Sequence, residues 1–125
     1  MTPAERWAIE FERAWRAGDG EAAAALYADD CVFRSHPFRE LEDARAYMRR
    51  AVPEAEAPEV WFGRPVEEAG RAAVEYWAVL VEPNGDESTI AGCHVMRFGD
   101  GVVAEARDYW HLEPGRRVPS EGWGR

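Results

Sequence analysis

The sequence predicts an α+β domain in which three N-terminal helices pack in the concave face of a strongly curved antiparallel sheet. Apolar residues recur at helical spacing only in the first half of the chain, whereas the second half is a succession of β-branched and aromatic runs separated by turn signals. Helices followed by strands is the pattern of a sheet covered on one face by helices. At 125 residues there is room for one hydrophobic core and no second independent one.

Within residues 4–17, Trp7, Phe11, Ala14 and Trp15 form one stripe, with Glu5, Arg6, Glu12, Arg13 and Arg16 elsewhere, which predicts an amphipathic helix ending at Gly18. Asp19 is placed to cap a second helix over Glu21–Tyr27, where alanine dominates. Asp29-Asp30 then breaks the run before a short strand at Cys31-Val32-Phe33, ended by His36-Pro37. A third helix is expected at about Leu41–Val52, and the segment Pro53–Pro58 as a solvated connector. Strands follow at Val60–Glu67, Ala72–Glu82, Thr89–Phe98 and Val102–Leu112, separated by Ala69-Gly70, Pro83-Asn84-Gly85-Asp86 and Gly99-Asp100-Gly101. The domain is thus expected over residues 1–112, with residues 113–125 a coil tail that packs only through Trp123.

A net charge of -9 and a pI of about 4.8 exclude a phosphate backbone as a partner. No apolar stretch approaches the roughly 20 residues that span a bilayer. The opening MTPAERWAIEFERAW carries charges where a signal peptide needs its apolar stretch, so the expected setting is cytoplasmic. Apart from histidine, every basic residue is arginine, and a chain without lysine has no amine for Schiff-base chemistry or pyridoxal phosphate; no cofactor is expected. Cys31 and Cys93 have no zinc-like spacing and are expected as free thiols. The histidines fit no metal motif either.

Two segments carry a family resemblance. RAGDGEAAAALYADDCVF, Arg16 to Phe33, resembles the helix hairpin of the nuclear transport factor 2-like superfamily, and FGDGVVAEARDYW, Phe98 to Trp110, resembles the final hairpin of its SnoaL-like branch. The resemblance covers roughly residues 4–112 and implies a cone-shaped, cystatin-like roll around a small-molecule pocket. It also implies a homodimer through the outer sheet face. Because this fold hosts isomerases, dehydratases, cyclases, epoxide hydrolases and proteins with no chemistry, activity has to be argued from the site.

By strand alternation Ala104, Ala106, Asp108 and Trp110 share one face of the last strand, while Val103, Glu105, Arg107 and Tyr109 share the other. A carboxylate among alanines and a tryptophan on an inner face is suited to proton transfer, and Asp108 falls where the resemblance implies the general base of SnoaL-like cyclases. The plainer reading is a buried aspartate bonded to a backbone group or an arginine. A three-residue Gly99-Asp100-Gly101 loop, pairing Phe98 with Val102, puts His94 and Met96 on the Asp108 face; a two-residue loop puts Cys93 and Val95 there instead. His36 stands before Pro37 where steroid isomerases of the superfamily carry an aspartate, and is either a second proton-transfer group or an idle loop histidine. The position of the isomerases' oxyanion-stabilising tyrosine corresponds to Phe11, which has no hydroxyl, so that mechanism does not transfer. Either Glu75 or Tyr76 points inward, according to which face of its strand does, and Trp15, Tyr27, Trp77 and Trp110 are candidate aromatic walls.

Two functional readings follow. One is a cofactor-free isomerase, cyclase or dehydratase acting on a small apolar carbonyl or polyketide-like compound, with Asp108 as acid or base and His94 or His36 as partner. The other is a non-catalytic ligand-binding or dimerisation module of the same fold.

Overall fold

Residues 1–125 are described by a computed structural model. Helix α1 (Pro3–Ala17) starts in a capping box: the Glu5 N–H donates to Thr2 Oγ1 at 3.1 Å, and the Thr2 N–H donates to the Glu5 carboxylate at 3.0 Å. Gly18, at φ 65°, ends it in the left-handed region that suits glycine. Helix α2 (Gly20–Ala24) is capped by Asp19, which accepts from the Ala22 N–H at 3.0 Å.

The second helix is shorter than alanine content suggests. Strand β1 (Tyr27–Arg34) begins where the helix was expected to end, and Asp29 and Asp30 lie within it at an irregularity of register. The sheet claims this backbone: the Val103 N–H donates to the Leu26 carbonyl at 3.0 Å, and Arg45 donates to that of Tyr27 at 2.9 Å. Tertiary pairing here overrides propensity. For the same reason Leu41–Asp43, expected as helix, forms strand β2 against β1, and helix α3 covers only Ala44–Ala51. The expected connector at Pro53–Pro58 is a 3-10 turn (Val52–Glu54) followed by the start of strand β3 (Glu56–Phe62), with Ala57 buried. Arg16 fixes β3 to α1 by donating to the carbonyls of Pro58 and Val60 at 2.8 and 2.6 Å.

The expected strand Val60–Glu67 is two: β3, and β4 (Val66–Glu68), both paired with β5 (Arg71–Val81). Strands β6 (Glu87–Gly99) and β7 (Val102–Pro114) complete the sheet. Its order is β2-β1-β7-β6-β5-β3, with β4 beside β5. All neighbours run antiparallel except β1 and β7, which are parallel. The helices cover the inner face, where Trp7, Tyr27, Phe33, Val74, Met96 and Val103 form the centre of the core.

The β6–β7 hairpin decides what faces inward. Its loop is the two-residue Asp100-Gly101 turn, with φ of 53° and 81°, pairing Gly99 with Val102. Taken alone, that loop would bring Cys93 and Val95 to the Asp108 face. Ala104 is, however, an extra residue: Phe98 pairs with Val103 and Arg97 with Glu105. This β-bulge shifts the register by one and restores the parity that a three-residue loop would have produced. His94 pairs with Asp108, Cys93 with Tyr109 and Val95 with Arg107. The bulge also corrects the expected face of Val103, which is fully buried on the inner side.

The tail holds on by more than Trp123. That ring meets Trp77 at 5.8 Å, but Trp77 Nε1 also donates to the Arg117 carbonyl at 2.9 Å, Thr89 Oγ1 donates to the Gly115 carbonyl at 2.8 Å, and Arg116 grips Glu59 at 2.8 and 2.6 Å. The tail therefore lies across the outer face of β5 and β6, which explains why Val79 and Thr89 are buried there. No helix is long and apolar enough to cross a membrane.

Candidate functional site

Between the helices and the inner face of β5–β7 lies a cavity of about 370 Å³. Trp7, Phe11, Trp15, Phe62 and Tyr76 make its aromatic wall, with Tyr47 of α3 across from them. His94, Asp108 and Trp110 complete the strand side. Edge-on aromatic contacts, such as Trp15–Tyr76 at 5.8 Å and Phe11–Phe62 at 6.0 Å, hold the wall in place.

Gly92 makes room for one of these rings. It pairs with Tyr76 on one side and Trp110 on the other, and a Cβ there would lie 2.8 Å from Tyr76 Oη and 2.4 Å from the Tyr109 carbonyl oxygen. A side chain at this position would displace the phenol.

The cavity's polar centre is a buried chain of hydrogen bonds. Tyr27 Oη lies 3.0 Å from His94 Nε2, and His94 Nδ1 lies 2.8 Å from Asp108 Oδ1. The imidazole is 3% exposed and stacks on Trp7 at 4.7 Å and 10°. Burial first, and then the charge of Asp108, push the Tyr27 phenol well above its ordinary value of 10.0, so it keeps its proton. A phenol donating to Nε2 leaves Nδ1 to carry the imidazole proton and donate it to the carboxylate. One oxygen of Asp108 is thereby oriented, while the side chain stays 15% exposed towards the cavity. Tyr76 is also raised well above 10.0, by burial and then by Asp108, and Tyr47 is raised for the same two reasons. Both phenols remain protonated donors near the carboxylate at neutral pH.

Of the residues singled out in the sequence, Asp108, His94, Trp15, Tyr76 and Trp110 line the cavity together. Tyr27 is fully buried behind His94 and meets no ligand space, so its place is behind the wall. Met96 is 2% exposed and belongs to the core under β6. Glu75 and Trp77 turn to the outer face because Tyr76 turns inward: Glu75 is exposed, and Trp77 is engaged by the tail. His36 sits at the rim, its ring centre 4.8 Å from that of Trp110 in an edge-on contact and its Nδ1 accepting from the Phe38 N–H at 3.3 Å; it is outside the lining.

Tyr47 and Arg39, which the sequence pattern does not single out, also line the cavity. Tyr47 shares a helical stripe with the buried Ala44 and Met48, a signal present in the sequence. Arg39 lies in a loop without periodicity, and only the folded contacts with Ser35 and Trp110 place it.

The SnoaL-like domain family matches this chain over residues 8–106. No curated protein matches it in sequence. Among solved structures, the Δ5-3-ketosteroid isomerase of Mycobacterium sp. superposes with a TM-score of 0.72 at 21% identity, covering 89% of this chain and 95% of that one. An epoxide hydrolase/cyclase-like enzyme with a role in pyran ring formation in the polyether salinomycin gives 0.73 at 15% identity, over 89% and 95%. A Mycobacterium tuberculosis protein in complex with estradiol-17β-hemisuccinate gives 0.73 at 19% identity, over 90% and 98%. At these identities the likeness concerns the fold.

The buried acids predict a loss of stability in alkali. Cys31 is raised by burial from 9.0 to about 11, and Tyr27, Tyr76 and Tyr47 are raised above 10.0. Below about pH 8 these groups are neutral in both states and contribute no pH dependence. Above it the unfolded chain ionises first and binds fewer protons than the folded one, so stability falls as pH rises. Urea midpoints measured across this range should be level up to about pH 8 and drop increasingly steeply towards pH 11; midpoints that stay level throughout would show that these groups ionise as readily folded as unfolded.

Proposed function

The chain belongs to the SnoaL-like domain family, and on that premise we propose that it is a cofactor-free acid/base enzyme that moves a proton on a small apolar carbonyl compound, in the manner of an isomerase, cyclase or dehydratase. The observation that carries this reading is the placement of Asp108. Its carboxylate is held at one oxygen by His94 at 2.8 Å and is 15% exposed towards an aromatic cavity.

In the proposed step Asp108 takes a proton from the carbon next to the substrate carbonyl. The C–H electron pair moves into the carbonyl to form an enolate, and the proton later returns from Asp108 to carbon or leaves with a hydroxyl group. The His94 Nδ1–H donates to one carboxylate oxygen and fixes its direction. The protonated phenols of Tyr76 and Tyr47 line the same cavity and are the donors proposed for the enolate oxygen, in place of the hydroxyl that Phe11 lacks. The surrounding rings fit a flat apolar ring system, such as that of the steroid derivative in complex with the Mycobacterium tuberculosis protein. An Asp108 locked to an arginine would favour the non-catalytic alternative, and the partner it has is His94.

The proposal includes a cytoplasmic homodimer joined through the outer sheet face, where Val32, Val66 and Tyr109 are 45%, 74% and 45% exposed. Light scattering should give twice the 14.1 kDa chain mass, and a mass of one chain at micromolar concentration would remove the dimer.

Proton transfer itself is tested with an aryl ketone such as α-tetralone in D2O, following α-deuterium uptake by NMR. The native protein should accelerate exchange, and Asp108→Asn should lower that acceleration about a hundredfold or more while keeping the fold. An Asp108→Asn protein as active as the native one would sink the assignment.

A further inference from the structure

The charged groups of the cavity are unequally satisfied. At the rim, Arg50 donates to Glu42 at 2.9 Å and lies over Tyr47 at 5.4 Å, so its charge is already answered. Arg39 lines the same cavity and forms no ion pair. Its Nη1 donates to Ser35 Oγ at 3.1 Å, and its guanidinium carbon sits 5.3 Å from the centre of the Trp110 ring.

Both supports are rigid. Ser35 is fully buried, and its carbonyl accepts from Trp110 Nε1, so hydroxyl, carbonyl and indole brace one another beneath the cation. A guanidinium carries five N–H donors; one is bonded to Ser35 and the Tyr47 hydroxyl lies within reach of the group, which leaves donors for a ligand. A cation stacked on an aromatic ring and pinned at one nitrogen is oriented in advance. Arg39 is exposed at the mouth of an aromatic cavity, stacked on one of its rings and without a carboxylate partner, and so is placed to receive an anion from outside.

We infer that Arg39 anchors a carboxylate on the substrate, so that the ligand is an aromatic or alicyclic keto acid whose charged end docks at Arg39 and whose reactive carbon lies over Asp108. The planar fork of an arginine matches two carboxylate oxygens, where an isolated ammonium would offer one point of charge. Asp108 and Trp110 are two residues apart on one strand face, about 6.5 Å along β7, which spaces the base from the ring beneath Arg39 by roughly one fused ring. Glu54 and Glu82 occupy a different stretch of the rim, after α3 and at the end of β5, and disfavour the reversed orientation. The identification of the reacting end rests on the reading of Asp108 as base; the carboxylate anchor does not.

The test uses naphthoic acid and its neutral amide, of nearly equal size, titrated into the full-length protein by calorimetry. The native protein should bind the acid at least about tenfold more tightly than the amide. Arg39→Gln should abolish that preference while leaving amide affinity within about twofold, Arg39→Lys should retain part of it, and Arg50→Gln should retain most of it. Equal binding of acid and amide, no binding of the acid, or a preference that survives Arg39→Gln would overturn the inference. A preference removed as fully by Arg50→Gln would also overturn it, since the effect would then be a diffuse field and no specific anchor. Because the readout is equilibrium binding, Asp108→Asn should keep the acid preference, and the anchor stands or falls separately from proton transfer.

Discussion

A single extra residue, Ala104, sets the side-chain parity of the last hairpin, and the chemistry of the cavity depends on it. The Asp100-Gly101 turn leaves β6 and β7 in a register that would place Cys93 against the face carrying Asp108. With the bulge, every pair from Arg97–Glu105 onward is shifted, and His94 meets Asp108 directly. A one-residue error in a strand exchanges its two faces completely, so this local irregularity separates a buried hydrogen-bond chain from an outward-facing histidine.

That chain in turn organises the core around it. Tyr27 reaches His94 from the start of β1, which requires the second helix to stop early and Leu26 to pair with the sheet. Trp7 of α1 closes the open face of the imidazole by stacking. A buried polar group is costly unless bonded, and here each member satisfies the next: phenol to imidazole, imidazole to carboxylate, carboxylate to the cavity. The Trp7 indole N–H, buried without a partner at hydrogen-bond geometry, is an exception beside this chain.

The α+β order, the amphipathic first helix, the Asp19 cap and the long strands were legible because each depends on local pattern or capping chemistry. Asp108 stood out as an acid between alanine and tryptophan for the same reason. What escaped was tertiary. Alanine-rich Glu21–Tyr27 looked helical throughout, and only β7 shows why its end is strand. The sequence leaves two loop lengths open, and the hairpin combines the two-residue loop with the side-chain facing of the three-residue one, because a bulge adds a residue and nothing at Ala104 announces it. Arg39 could not be found from spacing, since its position is fixed by a serine four residues back and a tryptophan from the far end of the chain. The tail looked like free coil because glycine, proline and arginine give no periodic signal, while its bonds to Glu59, Trp77 and Thr89 are specific.

Whether Asp108 is held as a base depends on the direction of the hydrogen bonds through His94. Long-range proton–nitrogen NMR on the folded protein at neutral pH distinguishes the two imidazole tautomers. Protonation at Nδ1 alone, with that proton protected from solvent and shifted in Asp108→Asn, is the result expected if the imidazole donates to the carboxylate. Protonation at Nε2 alone would mean that Asp108 receives no proton bond from His94 and is not held as a base.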